Sequence, residues 1–286
     1  MNKILIFIFS ILLVLNAHCK ENPNIIIKKN TNGSLTLRIA LKADGKISVD
    51  WGNNNIKNYD VNAATRIEDA TMLTEDVNKN TEIRVYGNNI RLFSCQDQFV
   101  YSLDVKNARD LVTLSCARNY LKEIDLSRNK ELRSFNCNSN RIKALDLSNN
   151  IKMTYLNCAY NYICDIALDK NTALQHINVS DNRLSSINLE NKNALKYLAV
   201  SGNKLSALAV NHLNNLTYLD LSYNKFSACG LNQVFSDIPT LAEDKKSEKK
   251  NLIILHNGGF IRSNTALAVA KNWSPDTEGS GKVRCK

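Results

Sequence analysis

From Ile90 to Leu231 the chain repeats itself every 21 residues, and no other feature limits its fold as tightly. Laid under one another, the segments read LVTLSCARN from Leu111, LRSFNCNSN from Leu132, MTYLNCAYN from Met153, LQHINVSDN from Leu174, LKYLAVSGN from Leu195 and LTYLDLSYN from Leu216. One column holds Cys95, Cys116, Cys137, Cys158, Val179, Val200 and Leu221; another holds Asn119, Asn140, Asn161, Asn182, Asn203 and Asn224. Fixed chemistry at fixed columns describes a stack of coils. No single coil of this length buries its own apolar side, so Leu114, Leu121, Ile124 and Leu126 need Phe135, Ile142, Leu145 and Leu147 of the next. The asparagine column falls just after each extended segment, where the backbone turns and loses its ladder partners. A carboxamide both donates and accepts, so buried asparagines can satisfy those turns from coil to coil. Gln98 replaces asparagine in the first copy, as suits a terminal repeat.

The pattern L-x-x-L-x-C-x-x-N-x-L-x-x-L-x-L resembles the leucine-rich repeat, in the 21-residue internalin-type variant of bacteria that carries cysteine in its ladder. The resemblance implies a repeat solenoid, a horseshoe with a parallel β-sheet. Ahead of it, Ile25–Lys29, Leu35–Leu41, Lys46–Trp51 and Glu82–Gly87 read as strands, the last as the strand that begins the ladder. Ala43–Gly52 resembles the strand-turn-strand cap that precedes such repeats in secreted bacterial proteins, although Asn53, Asn54 and Asn55 depart from that family's Asp-Gly turn. Asp50 lacks a second acidic residue at a spacing that would complete a calcium cage.

Beyond the repeats, Val234, Phe235, Ile238 and Leu241 have helical spacing over Asn232–Leu241, stopped near Pro239. A polar loop follows from Glu243 to Lys250, then a strand at Leu252–Leu255. A helix over Asn264–Trp273 turns Leu267, Ala270 and Trp273 inward, and Lys282–Lys286 is extended. This order resembles the closing unit of secreted bacterial repeat proteins. The reading divides the chain into a signal peptide (1–18), a short linker (19–24), an N-terminal β cap (25–88), the leucine-rich repeats (89–231) and a C-terminal α/β cap (232–286).

Lys3 followed by the apolar run Ile4–Leu15 reads as the signal peptide, because twelve helical residues rise roughly 18 Å and a bilayer core is about 30 Å thick. Cys19 stands where a bacterial lipobox would place a lipidated cysteine, though Asn16 and His18 depart from its small residues; cleavage after Ala17 is the competing reading. Lys20 and Glu21 resemble the short charged signal of surface lipoproteins in Bacteroidetes-type bacteria. The expected location is the cell surface or outer membrane as a lipoprotein, otherwise secreted or periplasmic, with Cys19 as the only membrane attachment.

Eight cysteines in an exported chain usually signal a disulfide framework. Here coils stack at about 4.8 Å while a disulfide needs β-carbons about 3.8 Å apart, so the ladder cysteines read as buried apolar side chains. Four sulfurs in line also cannot close a zinc tetrahedron. Cys229 lies 21 residues after Leu208 on an interior column, and Cys285 ends the piece expected to close over it. Either the two form a clip or both are ordinary buried thiols.

The formal charge of +10 is spread along the coils among Asp and Glu rather than gathered on one face, which argues against nucleic acid. No phosphate-cradling glycine loop, paired histidine motif or nucleophile elbow is present, so neither a cofactor nor an enzyme is expected. His176, Ser180 and Asp181 are neighbours in one coil, but adjoining coils offer only Tyr155, Tyr197 and Ser201 in support. Binding to a protein or glycan, by a monomer, is the expected function, with a structural envelope protein as the alternative. Outward strand positions form one column of Leu92, Thr113, Ser134, Tyr155, His176, Tyr197 and Tyr218, and a second of Ser94, Ser115, Asn136, Asn157, Asn178, Ala199 and Asp220. Tyr155, His176, Tyr197 and Tyr218, with Asn157, Asn178 and Asp220 alongside, are the candidate ligand-binding residues. Phe99, Tyr120, Arg141, Tyr162, Arg183, Lys204 and Lys225 form a rival stripe just past the asparagines.

Overall fold

A computed structural model describes residues 22–29, 36–43, 45–52, 56–61, 70–77, 82–240, 250–277, 279 and 285. The expected signal peptide, Cys19, the Asn53–Asn55 turn, residues 241–249 and most of 282–286 lie outside the described residues.

Each repeat contributes a strand of only three residues: β7 (Leu92–Ser94), β9 (Thr113–Ser115), β10 (Ser134–Asn136), β11 (Tyr155–Asn157), β12 (His176–Asn178), β13 (Tyr197–Ala199) and β14 (Tyr218–Asp220). They pair in parallel with each residue opposite its equivalent one repeat away, as Tyr155 with His176 and Leu156 with Ile177. The middle residue points inward, so Leu114, Phe135, Leu156, Ile177, Leu198 and Leu219 are fully buried. Just past each strand, Asp97, Arg118, Ser139, Tyr160, Asp181, Gly202 and Tyr223 all take φ between 51° and 61°, the left-handed corner that turns the coil.

The asparagines bind that corner. Asn161 Nδ2 donates to the carbonyls of Cys137, Cys158 and Ala159, and its Oδ1 accepts from the Ile142 amide, with distances of 2.9 to 3.1 Å. Asn140 and Asn182 repeat the pattern one coil away. A second ladder stands at Asn129, Asn150 and Asn171, fully buried, with each Nδ2 donating to carbonyls 21 and 24 residues back. Lys192 takes the next place in that column and donates its Nζ to the Glu190 carbonyl, while burial lowers its pKa. Cys95, Cys116, Cys137 and Cys158 are free and buried, and desolvation pushes the thiols of Cys95 and Cys158 up to about 12.

The N-terminal cap has two parts. β2 (Thr36–Lys42) runs antiparallel to β7, and β5 (Thr71–Asp76) lies outside β2, so both extend the ladder past its first coil. A separate five-stranded sheet has the order β4-β3-β6-β1-β8, with β1 at Ile25–Lys29, β3 at Gly45–Asp50, β4 at Ile56–Val61, β6 at Glu82–Gly87 and β8 at Val100–Asp104. The strand at Glu82–Gly87 therefore does not begin the ladder; it lies between β3 and β1. Ile83 and Val85 are fully buried there with Ile25, Ile27 and Val49, and Gly87 pairs with Ile47, whose Cγ2 would sit 2.7 Å from any added Cβ. Asp50 Oδ1 accepts from the Gly52 amide and Oδ2 faces Arg84 at 3.6 Å.

At the other end α1 (Ala228–Asp237) starts four residues before the expected Asn232, because Ser227 caps it by accepting from the Gly230 amide at 3.1 Å. β15 (Lys250–Ile253) and β16 (Trp273–Pro275) continue the parallel ladder beyond β14. The helix expected over Asn264–Trp273 is a short α2 (Ala266–Val269) after a 3-10 turn at Phe260–Arg262. Ala268 is the residue buried in it; Leu267 and Ala270 are exposed, and Trp273 packs inward from β16 with its indole N–H on the Pro239 carbonyl. No helix of the described residues is long and apolar enough to cross a membrane.

Candidate functional site

The first and third positions of each three-residue strand face outward, so the parallel register converts the sequence columns into two straight rows on the open face of the sheet. Tyr155, His176, Tyr197 and Tyr218 occupy the first row, all half-buried. Successive ring centroids lie 4.4, 4.0 and 4.1 Å apart at interplanar angles of 14°, 12° and 6°. Strands about 4.8 Å apart bring the rings close, and the shorter centroid distances mean that the rings converge on the open side of the sheet. The interior faces of the rings are thus covered by their neighbours. What the row offers outward is a band of ring edges with polar tips.

Stacking fixes the electrostatics of the row. Burial holds the His176 imidazole down at about 4 against an ordinary 6.5, so it is a neutral ring at physiological pH. Burial and the neighbouring Tyr197 hydroxyl push the Tyr218 phenol up. As pH falls through 6.5 the unfolded chain takes up the proton first. The contribution of His176 is therefore whole above 6.5, is lost between 6.5 and about 4, and is flat below. We expect His176→Phe to remove roughly 1–2 kcal/mol of acid destabilisation across that window, discounted for partial exposure. Denaturant titrations of both proteins at stepped pH measure this, and parallel acid limbs would reject it.

In the second row the side-chain oxygens are already engaged. Asn157 Oδ1 accepts from the Ala159 amide at 3.2 Å, Asn178 Oδ1 from Ser180 at 3.1 Å, and Asp220 Oδ1 from both the amide and hydroxyl of Ser222 at 3.0 and 2.7 Å. These are turn bonds that end each strand. The asparagine Nδ2 groups remain to donate beside the ring row. Ala199 interrupts the row and is buried.

His176, Ser180 and Asp181 form no relay: His176 is stacked between two tyrosines, the Ser180 amide is held by Asn178, and Asp181 accepts from Tyr160. In the rival stripe Arg141 lies 4.6 Å above the Tyr120 ring and Arg183 4.7 Å above Tyr162 as cation–π contacts, and the Phe99 and Tyr120 rings stand 5.9 Å apart as a tilted aromatic pair. A third group went unread in the sequence. Tyr160 and Tyr223 are the left-handed corner residues of their coils, each about 60% exposed, and Tyr223 stacks on His256 at 4.2 Å. The corner column could have flagged the two tyrosines. His256 comes from the cap, where the period is broken.

A leucine-rich-repeat family profile matches residues 212–231. Among solved structures, the internalin InlF of Listeria monocytogenes aligns at 22% identity over 62% of this chain and 50% of its own, with a TM-score of 0.52. The fold is a leucine-rich-repeat solenoid. The functional domain of InlJ from Listeria monocytogenes, described as including a cysteine ladder, aligns at 25% identity over 64% of this chain and 48% of its own, with a TM-score of 0.44. A leucine-rich-repeat protein of Leptospira interrogans aligns at 20% identity over 60% of this chain and 50% of its own, with a TM-score of 0.48. The chain spans about half the length of each of these structures. No curated protein matches it.

Proposed function

We propose that this leucine-rich-repeat protein is an exported binding module that recognises a protein partner through the row Tyr155, His176, Tyr197 and Tyr218. The observation that carries the reading is the continuous four-ring stack, half-buried on the open sheet face. Rings with polar tips bury large area at low entropic cost, and here stacking has already immobilised them before any partner arrives. Asn157 and Asn178 add donors beside the row. The same mutual coverage favours the structural reading, in which the rings only stabilise the sheet as cross-strand neighbours. Export rests on Lys3 and the apolar run Ile4–Leu15, and lipidation of Cys19 remains part of that proposal.

An array of extracellular protein domains and glycans, probed with the wild-type chain and with the Tyr197→Ser, Tyr218→Ser double variant, separates the two readings. We expect a protein ligand whose affinity falls by at least about tenfold in the variant, the size of a lost interface anchor. The melting temperature should fall only slightly. Unchanged binding with a large loss of stability would make the row structural and shift attention to Tyr120, Tyr162 and the basic residues over them. A glycan as the sole ligand would overturn the choice of partner.

A further inference from the structure

Tyr155 is the first ring of the stack, and only one of its faces is covered. His176 lies against one side. On the other, the residues of the same column are Ser134, Thr113 and Leu92 in successive strands. The two small side chains leave a hollow of about 320 Å³ on the open face of the sheet, beside Leu92, Thr113, Ser115, Ser134, Asn136 and Tyr155. Three strand spacings put Leu92 and Tyr155 roughly 14 Å apart, so a ring has room to lie flat on Tyr155.

The chemistry of the walls narrows the occupant. No lining residue carries a formal charge, so an ion finds no partner there. The volume is at the lower end of the roughly 300–1,000 Å³ of small-molecule sites, which suits a single side chain. The exposed wall of the hollow is mostly apolar, which suits a flat ring better than a sugar that must satisfy hydroxyls all around its rim, and Asn136 Oδ1 already accepts from the Asn138 amide at 3.2 Å. Ser115 is a second, independent observation. It is 8% exposed, and its hydroxyl has no hydrogen-bond partner among the described residues. A guest that brings one polar atom to it relieves an unpaired buried group.

We propose that this hollow receives one tyrosine or tryptophan side chain of a protein partner, stacked on the free face of Tyr155 as the next rung of the ladder. The proposal rests on the reading of the ring row as a protein-binding face and names the anchor that such a partner inserts. The guest ring repeats on one side of Tyr155 the contact that His176 makes on the other. Its polar tip pairs with Ser115.

The probe is N-acetyl-L-tryptophanamide, titrated into the full chain and followed by amide and methyl NMR. Saturable ring-current shifts at Thr113, Ser134 and Tyr155 are expected, with N-acetyl-L-leucinamide binding about fivefold or more weakly because it cannot stack. Ser134→Tyr supplies the rung from within the chain. It should abolish the shifts while leaving the melting temperature equal or higher. Ser115→Ala should weaken tryptophanamide about threefold or more and leave N-acetyl-L-phenylalaninamide unchanged. The absence of saturable shifts, an equal response to leucinamide, a stronger response to methyl glucoside, or undiminished binding by a folded Ser134→Tyr protein would each overturn the proposal. Tyr197 and Tyr218 are two and three rungs away, so the double variant should leave this titration intact. Failure of the hollow is therefore read in the amide titration, and failure of the ring row in partner binding.

Discussion

Asn161→Ala is expected to lower the stability of the solenoid by roughly 4 kcal/mol, as much as truncating a large buried apolar side chain. The carboxamide is buried and serves two coils at once. It accepts from the Ile142 amide and donates to the Cys137 carbonyl in the preceding coil, and it donates to Cys158 and Ala159 in its own. Truncation leaves the Ile142 N–H and the Cys137 carbonyl buried without that partner, at about 1–3 kcal/mol each, and adds a cavity beside them. In a stack where each coil touches only its neighbours, a weak joint in the middle also divides the unfolding. A second transition, or a reduced denaturant slope, should accompany the loss. Asn161→Asp keeps the acceptor but loses both donors and buries a charge, so it should do no better. Asn157→Ala is the control: only the bond from the Ala159 amide goes, and about 1 kcal/mol is expected. Urea titrations of the three variants decide the matter. Equal losses for Asn157→Ala and Asn161→Ala would show that the ladder contributes no more than a surface turn.

How much of this was legible in the sequence follows the period. Where 21-residue spacing holds, a column in the sequence is a row in space, so the inward leucines, the buried cysteines and the juxtaposition of Tyr155, His176, Tyr197 and Tyr218 could all be read directly. The ring orientation could not. Column spacing places the rings one strand apart, but whether they meet face to face depends on side-chain torsions the period does not specify. The second ladder at Asn129, Asn150 and Asn171 was available in the same spacing, although Lys192 and Leu213 end it. Legibility stops where the period stops. Asn257 continues the first ladder by donating to the Leu221 and Ile254 carbonyls, yet it stands 33 residues after Asn224, because α1 and the segment after it intervene. In the N-terminal cap, alternation announces a strand but is silent about its sheet. Ile83 and Val85 alternate as well in the five-stranded sheet as they would at the head of the ladder, and the close approach of Gly87 to Ile47 is a tertiary fact. Leu267 has helical spacing within Asn264–Trp273, but the helix has only four residues, too few for that spacing to define an inward face.

Opening the link between Cys229 and Cys285 is the second large effect. The two sulfurs lie 2.19 Å apart and the Cα atoms 5.4 Å apart, across a sequence separation of 56. Closing a loop of that length removes about 4 kcal/mol of unfolded-state entropy in the chain model. The effect should be felt beyond the last coil, because Cys229 sits in the first turn of α1, and units at the edge of a repeat stack open first. The two tryptophans allow this to be seen: Trp51 is buried in the N-terminal cap and Trp273 in the C-terminal one. In a Trp51→Phe background, Cys285→Ser should therefore shift the Trp273 emission midpoint to much lower denaturant, while far-ultraviolet circular dichroism retains a later transition from the coils. Coincident transitions at the wild-type midpoint would remove any stabilising role for the bond. The same pair tests export, since such a bond persists in oxidising compartments and is reduced in the cytosol. Protein from its native source, denatured without reductant and treated with an alkylating reagent, should leave Cys229 and Cys285 unlabelled and show an amino terminus processed before Lys20. Labelling of both cysteines rejects the bond, and an intact Met1 rejects export.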